Sequence, residues 1–247
     1  MSTLSFLYSQ LCVEPKAPQH DFTGQTIVIT GGNAGLGFEA ARHLAFAASI
    51  AALDRVDAVL LNAGKVTQDF YLVEGNESTL TVNVTSTFLL LITLLPCLRR
   101  SAARWGVIPR VSIVSSDRHV ESSLPEWREK DTFAVLNDPV KTDMNKRYHV
   151  SKLLQILLTK AIAERLAQAE SLETGKHGPR IIVNTLTPGM CRSGLSRDLH
   201  GWFGAQIAVM TRLLARTTEV GGRTLVSAIA QGWKSHGKYM NDGEVQE

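Results

Sequence analysis

Cysteine is scarce. Cys12, Cys97 and Cys191 are odd in number, widely spaced and without a C-x-x-C pair. That argues against a disulfide framework or a metal knuckle and fits a reducing compartment. Charge of one sign is also lacking: 26 Lys and Arg against 23 Asp and Glu leave +3, too little to point to nucleic acid. Arg99, Arg100, Arg104 and Arg110 form a local basic stretch, expected as a solvated helix end and loop. No stretch offers about 18 clean apolar residues, so no membrane span is expected. Residues 1–13 are mildly apolar but carry no basic leader or small-residue cleavage site, and they run into Pro15 and Pro18. This argues against a signal peptide. The sequons at Asn76 and Asn83 are accordingly expected to be bare, and the chain to be cytoplasmic. No internal repeat is visible.

What is present reads as a globular α/β protein. At 247 residues, 44% hydrophobic and 20% charged, the chain can bury the core of one sizeable domain but not of two enzyme domains. Residues 1–24 read as a short amphipathic arm, and 25–247 as a single domain. Gln25 to Thr30 is an apolar, β-branched strand ending in Gly31-Gly32-Asn33-Ala34-Gly35-Leu36-Gly37. A helix follows, with Leu36, Ala40, Leu44 and Ala47 on one stripe. Strand, glycine turn and helix make an opening for a dinucleotide, since glycine lets backbone approach a pyrophosphate and the helix N-terminus presents N–H groups. A structural glycine turn would have the same pattern.

Val56 to Leu61 is a continuous apolar strand, suited to a parallel sheet covered on both faces, and Asn62-Ala63-Gly64 caps it. A helix over about 78–98 carries Asn83, either as a packed core amide or as a functional group. The strand from Arg110 to Val114 closes on Ser115-Ser116. Residues 117–147 read as a long loop with a short helix or two, shaping a substrate mouth. The strand from Ile181 to Leu186 ends in Thr187-Pro188-Gly189. Residues 190–205, with Gly194, Gly201 and Gly204, read as a flexible lid. A last helix covers roughly 218–231, and a polar tail follows.

Between these lies Tyr148-His149-Val150-Ser151-Lys152, at the start of a helix with apolar residues at Leu153, Leu154, Ile156, Leu157 and Leu158. A tyrosine and a lysine four apart share one helix face. An ammonium beside a phenol is expected to lower its pKa, making it a proton donor or acceptor near neutral pH. A surface ladder is the plain alternative.

Taken together, these motifs resemble the short-chain dehydrogenase/reductase family over nearly all of residues 22–242. They are most similar to fungal, retinol-dehydrogenase-like members associated with secondary metabolism. The resemblance implies a Rossmann-like parallel sheet with helices on both faces. It implies a catalytic set of Asn83, Ser116, Tyr148 and Lys152. It implies a cofactor site at Gly31, Asn33, Gly35, Leu36, Gly37, Asn62, Ala63, Gly64, Tyr148, Lys152, Pro188, Gly189, Cys191 and Ser193. The reaction it implies is hydride transfer between NADP(H) and a ketone or secondary alcohol, with NAD the alternative cofactor. Tyr148 would move the proton, Ser116 would hold the substrate oxygen, Lys152 would hold the nicotinamide ribose, and Asn83 would keep a water. The substrate is a small carbonyl or alcohol, and a homo-oligomer is admitted.

One part of the family pattern is absent. After the first helix the family continues through a second and a third strand, whereas here Ala41-Arg42-His43-Leu44-Ala45 runs into Ala51-Ala52-Leu53-Asp54-Arg55. About fifty residues are missing by that resemblance, with the join near Phe46 to Ile50. Removing those strands from the family order 3-2-1-4-5-6-7 would leave strand 1 at the sheet edge. It would also remove the residue that reads the adenosine ribose. The alternative reading is therefore an impaired remnant, a misread gene model or a partner of a true reductase.

Overall fold

The structure is a computed structural model and describes residues 3–32, 35–37, 39–40, 55–174 and 181–246. In chain order its elements begin with helix α1 (Thr3–Cys12) and strands β1 (Ile27–Thr30) and β2 (Ala58–Leu61). A small hairpin of β3 (Leu72–Val73) and β4 (Asn76–Glu77) leads into helix α2 (Ser78–Trp105). Strand β5 (Arg110–Val114), helix α3 (Thr132–Leu136), the long helix α4 (Met144–Thr174) and strand β6 (Ile182–Thr187) follow. Helices α5 (Gly201–Leu214) and α6 (Thr218–Ala230) precede β7 (Tyr239–Asn241) and β8 (Glu244–Val245).

The main sheet has the order β1-β2-β5-β6-β7-β8, parallel except for the final antiparallel pair. Among the described residues β1 has β2 as its single neighbour, the edge position expected of strand 1. Of the connection between them, residues 41–54, which hold the join near Phe46 to Ile50, lie outside the described residues, as does Asn33. β2 and β6 are buried along their whole length, as their continuous apolar runs require. Two apolar layers flank the sheet. One gathers Leu80, Val84, Phe88 and Leu91 of α2 with Val150, Leu154 and Leu166 of α4. The other gathers Leu225, Val226 and Ile229 of α6 with Phe22, Ala40 and Met240.

Four expectations need correction. The polar tail supplies β7 and β8, whose two or three residues are too few to show an alternation. The glycine-rich segment read as a flexible lid is a 3-10 turn (Gly194–Asp198) and then the first turns of α5. α2 is long and apolar enough to cross a membrane, contrary to the absence of any such segment in the sequence reading. Its Leu91 and Leu98 are fully buried in the apolar layer on the sheet, and a core helix meets the same criteria of length and composition. Arg110 sits within β5, where its guanidinium donates to Gln25 Oε1 at 2.8 Å, and not in a solvated loop.

Candidate active site

The carboxyl ends of the parallel strands open onto a cavity of about 1080 Å³. Its floor is set by backbone geometry. At the end of β1 Gly31 has φ +65°, and an added Cβ would stand 2.9 Å from Asn62 Nδ2. A Cβ on Gly37 would overlap Gly31 O and the same amide. The Asn62 side chain occupies the space these glycines leave, donating to Thr30 O at 3.1 Å and Gly31 O at 3.3 Å. Thr30 Oγ1 in turn accepts from the N–H groups of Asn62 and Ala63, both at 3.0 Å. The glycine turn and the Asn-Ala-Gly cap are thus one locked unit. Positions 31 and 37 tolerate no larger residue for a structural reason.

On the opposite wall α4 brings Tyr148 and Lys152 to the end of β5. The Lys152 ammonium lies 5.5 Å from the centre of the Tyr148 ring. It donates to Val114 O at 2.8 Å and to Gln155 Oε1 at 3.0 Å. Ser115 Oγ donates to Lys152 O at 3.0 Å, which fixes the helix to the strand end. Ser116, next along, donates to Asp117 Oδ1 and accepts from Arg118 N, capping a short 3-10 turn. Burial pushes the Tyr148 phenol up to about 12, against a downward pull from its hydrogen bond with Ser116. Burial also lowers the Lys152 ammonium to about 7. The sequence expectation that Lys152 depresses the tyrosine is not met here. Desolvation dominates both groups, and the amine is turned toward Val114 and Gln155.

Asn83 is tied into the same wall. It is fully buried in a π-helical turn of α2. Its Oδ1 accepts from Lys65 N at 2.8 Å, and its Nδ2 donates to Lys65 O and Ser151 Oγ. The side chain therefore pins the loop after Gly64 to both helices. Its backbone carbonyl accepts from Gln155 Nε2 at 2.7 Å. Gln155, fully buried, thus bridges Asn83 O and Lys152 Nζ with the two ends of one amide. Sequence reasoning missed it, although it lies three residues after Lys152 on the same helix face.

Gly31, Gly35, Leu36, Asn62, Ala63, Gly64, Ser116, Tyr148, Lys152, Pro188, Gly189, Cys191 and Ser193 all line the cavity. Gly37 and Asn83 support it from behind. Burial pushes the Cys191 thiol up to about 12, and its Sγ lies 3.4 Å from Pro188 O, so it is a packed, inert group. The wall also includes Phe6 and Arg118, together with Leu195, Trp202, Phe203 and Met210, none of which carried a motif. A buried amine, strand-end hydroxyls and glycines that clear a backbone floor suit the sugar, phosphate and nicotinamide parts of a dinucleotide. Among the described residues no group of His, Cys, Asp or Glu could hold a metal ion.

Comparison with known proteins agrees with this geometry. No family model matches the chain. Short-chain dehydrogenase anuD of Penicillium roqueforti is 50% identical over 295 residues, covering 100% of this chain and 76% of that one. Short chain dehydrogenase FGM9 of Gibberella zeae is 38% identical, covering 99% and 84%. The alignment to the first spans 295 positions against 247 residues, so 48 of its positions have no counterpart here. Among solved structures, 3-alpha-hydroxysteroid dehydrogenase from Pseudomonas sp. B-0831, complexed with NADH, matches with a TM-score of 0.61 at 17% identity, over 87% of this chain and 94% of that one. The 3-ketoacyl-(acyl-carrier-protein) reductase of Brucella melitensis, also complexed with NADH, gives 0.55 at 18%, over 90% and 97%. The chain belongs to the short-chain dehydrogenase/reductase family, NAD(P)-dependent oxidoreductases acting on CH–OH groups.

Proposed function

We propose that the chain interconverts a ketone and a secondary alcohol with NADP(H), in a biosynthetic step of fungal secondary metabolism. The observation that carries this reading is the convergence of Ser116, Tyr148 and Lys152 on the cavity that Gly31, Asn62 and Pro188-Gly189 also line. Bound there, the nicotinamide supplies hydride to a carbonyl carbon or accepts it from the alcohol. Gly31, Gly35, Asn62 to Gly64, Lys152, Pro188, Gly189 and Ser193 would hold it, with Leu36 beside the turn.

The chain's own groups account for the other half of the reaction. Ser116 Oγ would hydrogen-bond the substrate oxygen where negative charge grows. The Tyr148 hydroxyl would give that oxygen its proton in reduction and take it back in oxidation. Burial holds the phenol protonated near neutrality, its pKa pushed up to about 12, which suits the donor role in the reducing direction. Lys152, tethered by Gln155 and Val114 O, would keep a cation beside the ring as the phenolate forms. The three free cysteines support a cytoplasmic setting.

A second reading, an impaired remnant or misread gene model, is favoured by the 48 alignment positions without counterpart. Titration of purified protein with NADPH and NADH separates the two readings. Saturable binding with tighter NADPH affinity, lost in Lys152→Met, supports the reductase. No saturable binding of either nucleotide refutes it, and transcript sequence across residues 46–50 then shows whether an exon was missed.

A further inference from the structure

The arm set aside in the sequence is built into the cavity wall. α1 contains no charged residue. Three polar anchors nevertheless hold it. Ser9 Oγ donates to Asp242 Oδ2 at 2.7 Å. The buried Arg216 guanidinium donates to Ser9 O and Val13 O and pairs with Asp242 Oδ1 at 2.7 Å. Gln10 Oε1 accepts from Met190 N at 3.2 Å, beside the Pro188-Gly189 turn. A side chain at Gly189 would overlap the Gln10 amide, so that turn is shaped to receive α1. Ser9 and Gln10 are only 4% and 8% exposed, and desolvated groups with these partners hold a fixed position.

Phe6 lies three and four residues before these anchors, hence on the same helix face. It enters the cavity, with the Arg118 guanidinium 5.7 Å over its ring. Arg118 is also the residue whose backbone N–H donates to Ser116 Oγ, and Phe6, Ser116 and Tyr148 line the same cavity. Leu195, Trp202, Phe203 and Met210 add apolar surface to the same cavity lining.

We propose that Phe6 is a specificity-determining residue that makes the cavity select flat aryl ketones and their alcohols over short aliphatic ones. The inference rests on the reductase reading above for the substrate's functional group, and on α1 for its shape. An arene can meet Phe6 edge-to-face and lie against the Arg118 cation, whereas a short alkyl ketone reaches neither.

The test compares wild type, Phe6→Ala and Phe6→Leu with 2-acetonaphthone and butan-2-one. Binding of 2-acetonaphthone, followed by tryptophan fluorescence without nucleotide, is expected to weaken about tenfold in both variants. The ratio of kcat/KM for the naphthyl over the aliphatic ketone, with NADPH, is expected to fall at least tenfold. The leucine variant keeps the helix apolar, so a failure of the alanine variant to fold does not remove the test. Unchanged binding and an unchanged ratio overturn the role of Phe6 while the reductase reading stands. Weakened binding with no turnover in wild type supports Phe6 and overturns the reductase reading. A wild type that does not bind 2-acetonaphthone overturns the inference.

Discussion

Gln155 is the residue whose consequences reach furthest for its size. Its amide donates to Asn83 O and accepts from Lys152 Nζ, which also donates to Val114 O. Gln155→Leu keeps the volume but leaves a carbonyl and an ammonium short of partners. The expected loss is about 1–3 kcal/mol for each buried group left unmade, read from urea unfolding. Gln155→Glu keeps the shape and adds a carboxylate beside the amine. It should move the pH profile of kcat, which a purely structural role would leave in place. Lys152 itself makes a prediction on stability. Its folded pKa of about 7 lies below the ordinary 10.5, so between these values the unfolded chain binds the extra proton. Stability linked to this group therefore rises with pH from about 7 to 10.5, and the penalty is fully present below that window. Thermal melts across the window should show a flatter profile for Lys152→Met; an unchanged slope would refute the buried amine as its source. The Tyr148–Lys152 pair was legible in the sequence because its spacing is local. Gln155 was not, because its meaning depends on a carbonyl 72 residues away.

At the scale of elements, α2 and α4 are joined by a buried ion pair just ahead of the tyrosine. Arg147 Nε stands 3.5 Å from Glu77 Oε2, and both side chains are almost fully buried. Glu77 also caps α2, accepting from Thr79 N at 2.7 Å and Leu80 N at 3.1 Å. Arg147 Nη2 donates to Leu136 O and Thr142 Oγ1, tying in α3. Arg147→Met leaves the Glu77 carboxylate without its cation and should cost about 3–5 kcal/mol by urea denaturation. Adding Glu77→Gln should restore part of that; strictly additive losses would show that the two groups are not coupled. The principal strands and α4 were legible from apolar runs and periodicity. α5 was not, since Gly201 and Gly204 imitate a mobile loop and its partners lie on α1. The seating of α1 was likewise hidden, because Arg216 is 207 residues from Ser9.

For the whole molecule, sheet topology decides which cofactor parts can be placed. The strand ends β1, β2, β5 and β6 supply everything from the glycine turn to Pro188-Gly189, and that half was legible because each motif sits at a strand's carboxyl end. By the family resemblance the adenosine half would fall to the second and third strands, which the sequence reading finds missing, and 48 positions of the alignment have no counterpart in this chain. NADPH affinity should accordingly be weak, with a Kd well above the micromolar range; a micromolar Kd would show that other residues bind the adenosine.

The two rims of the sheet are unlike. β8 is two residues long and carries Glu244, a blunted rim that resists further pairing. β1, among the described residues, offers four residues of Ile, Val and Thr with one side unpaired. A particle with one adhesive rim cannot propagate. If two copies meet rim to rim, the contact is its own mirror in composition, a two-fold arrangement that uses up the exposed strand on both sides. Sedimentation over a range of concentrations should then show a monomer–dimer equilibrium that stops at two, and open-ended growth would contradict it. The strand arrangement thus sets an upper bound on assembly through this rim: self-pairing terminates at its first step.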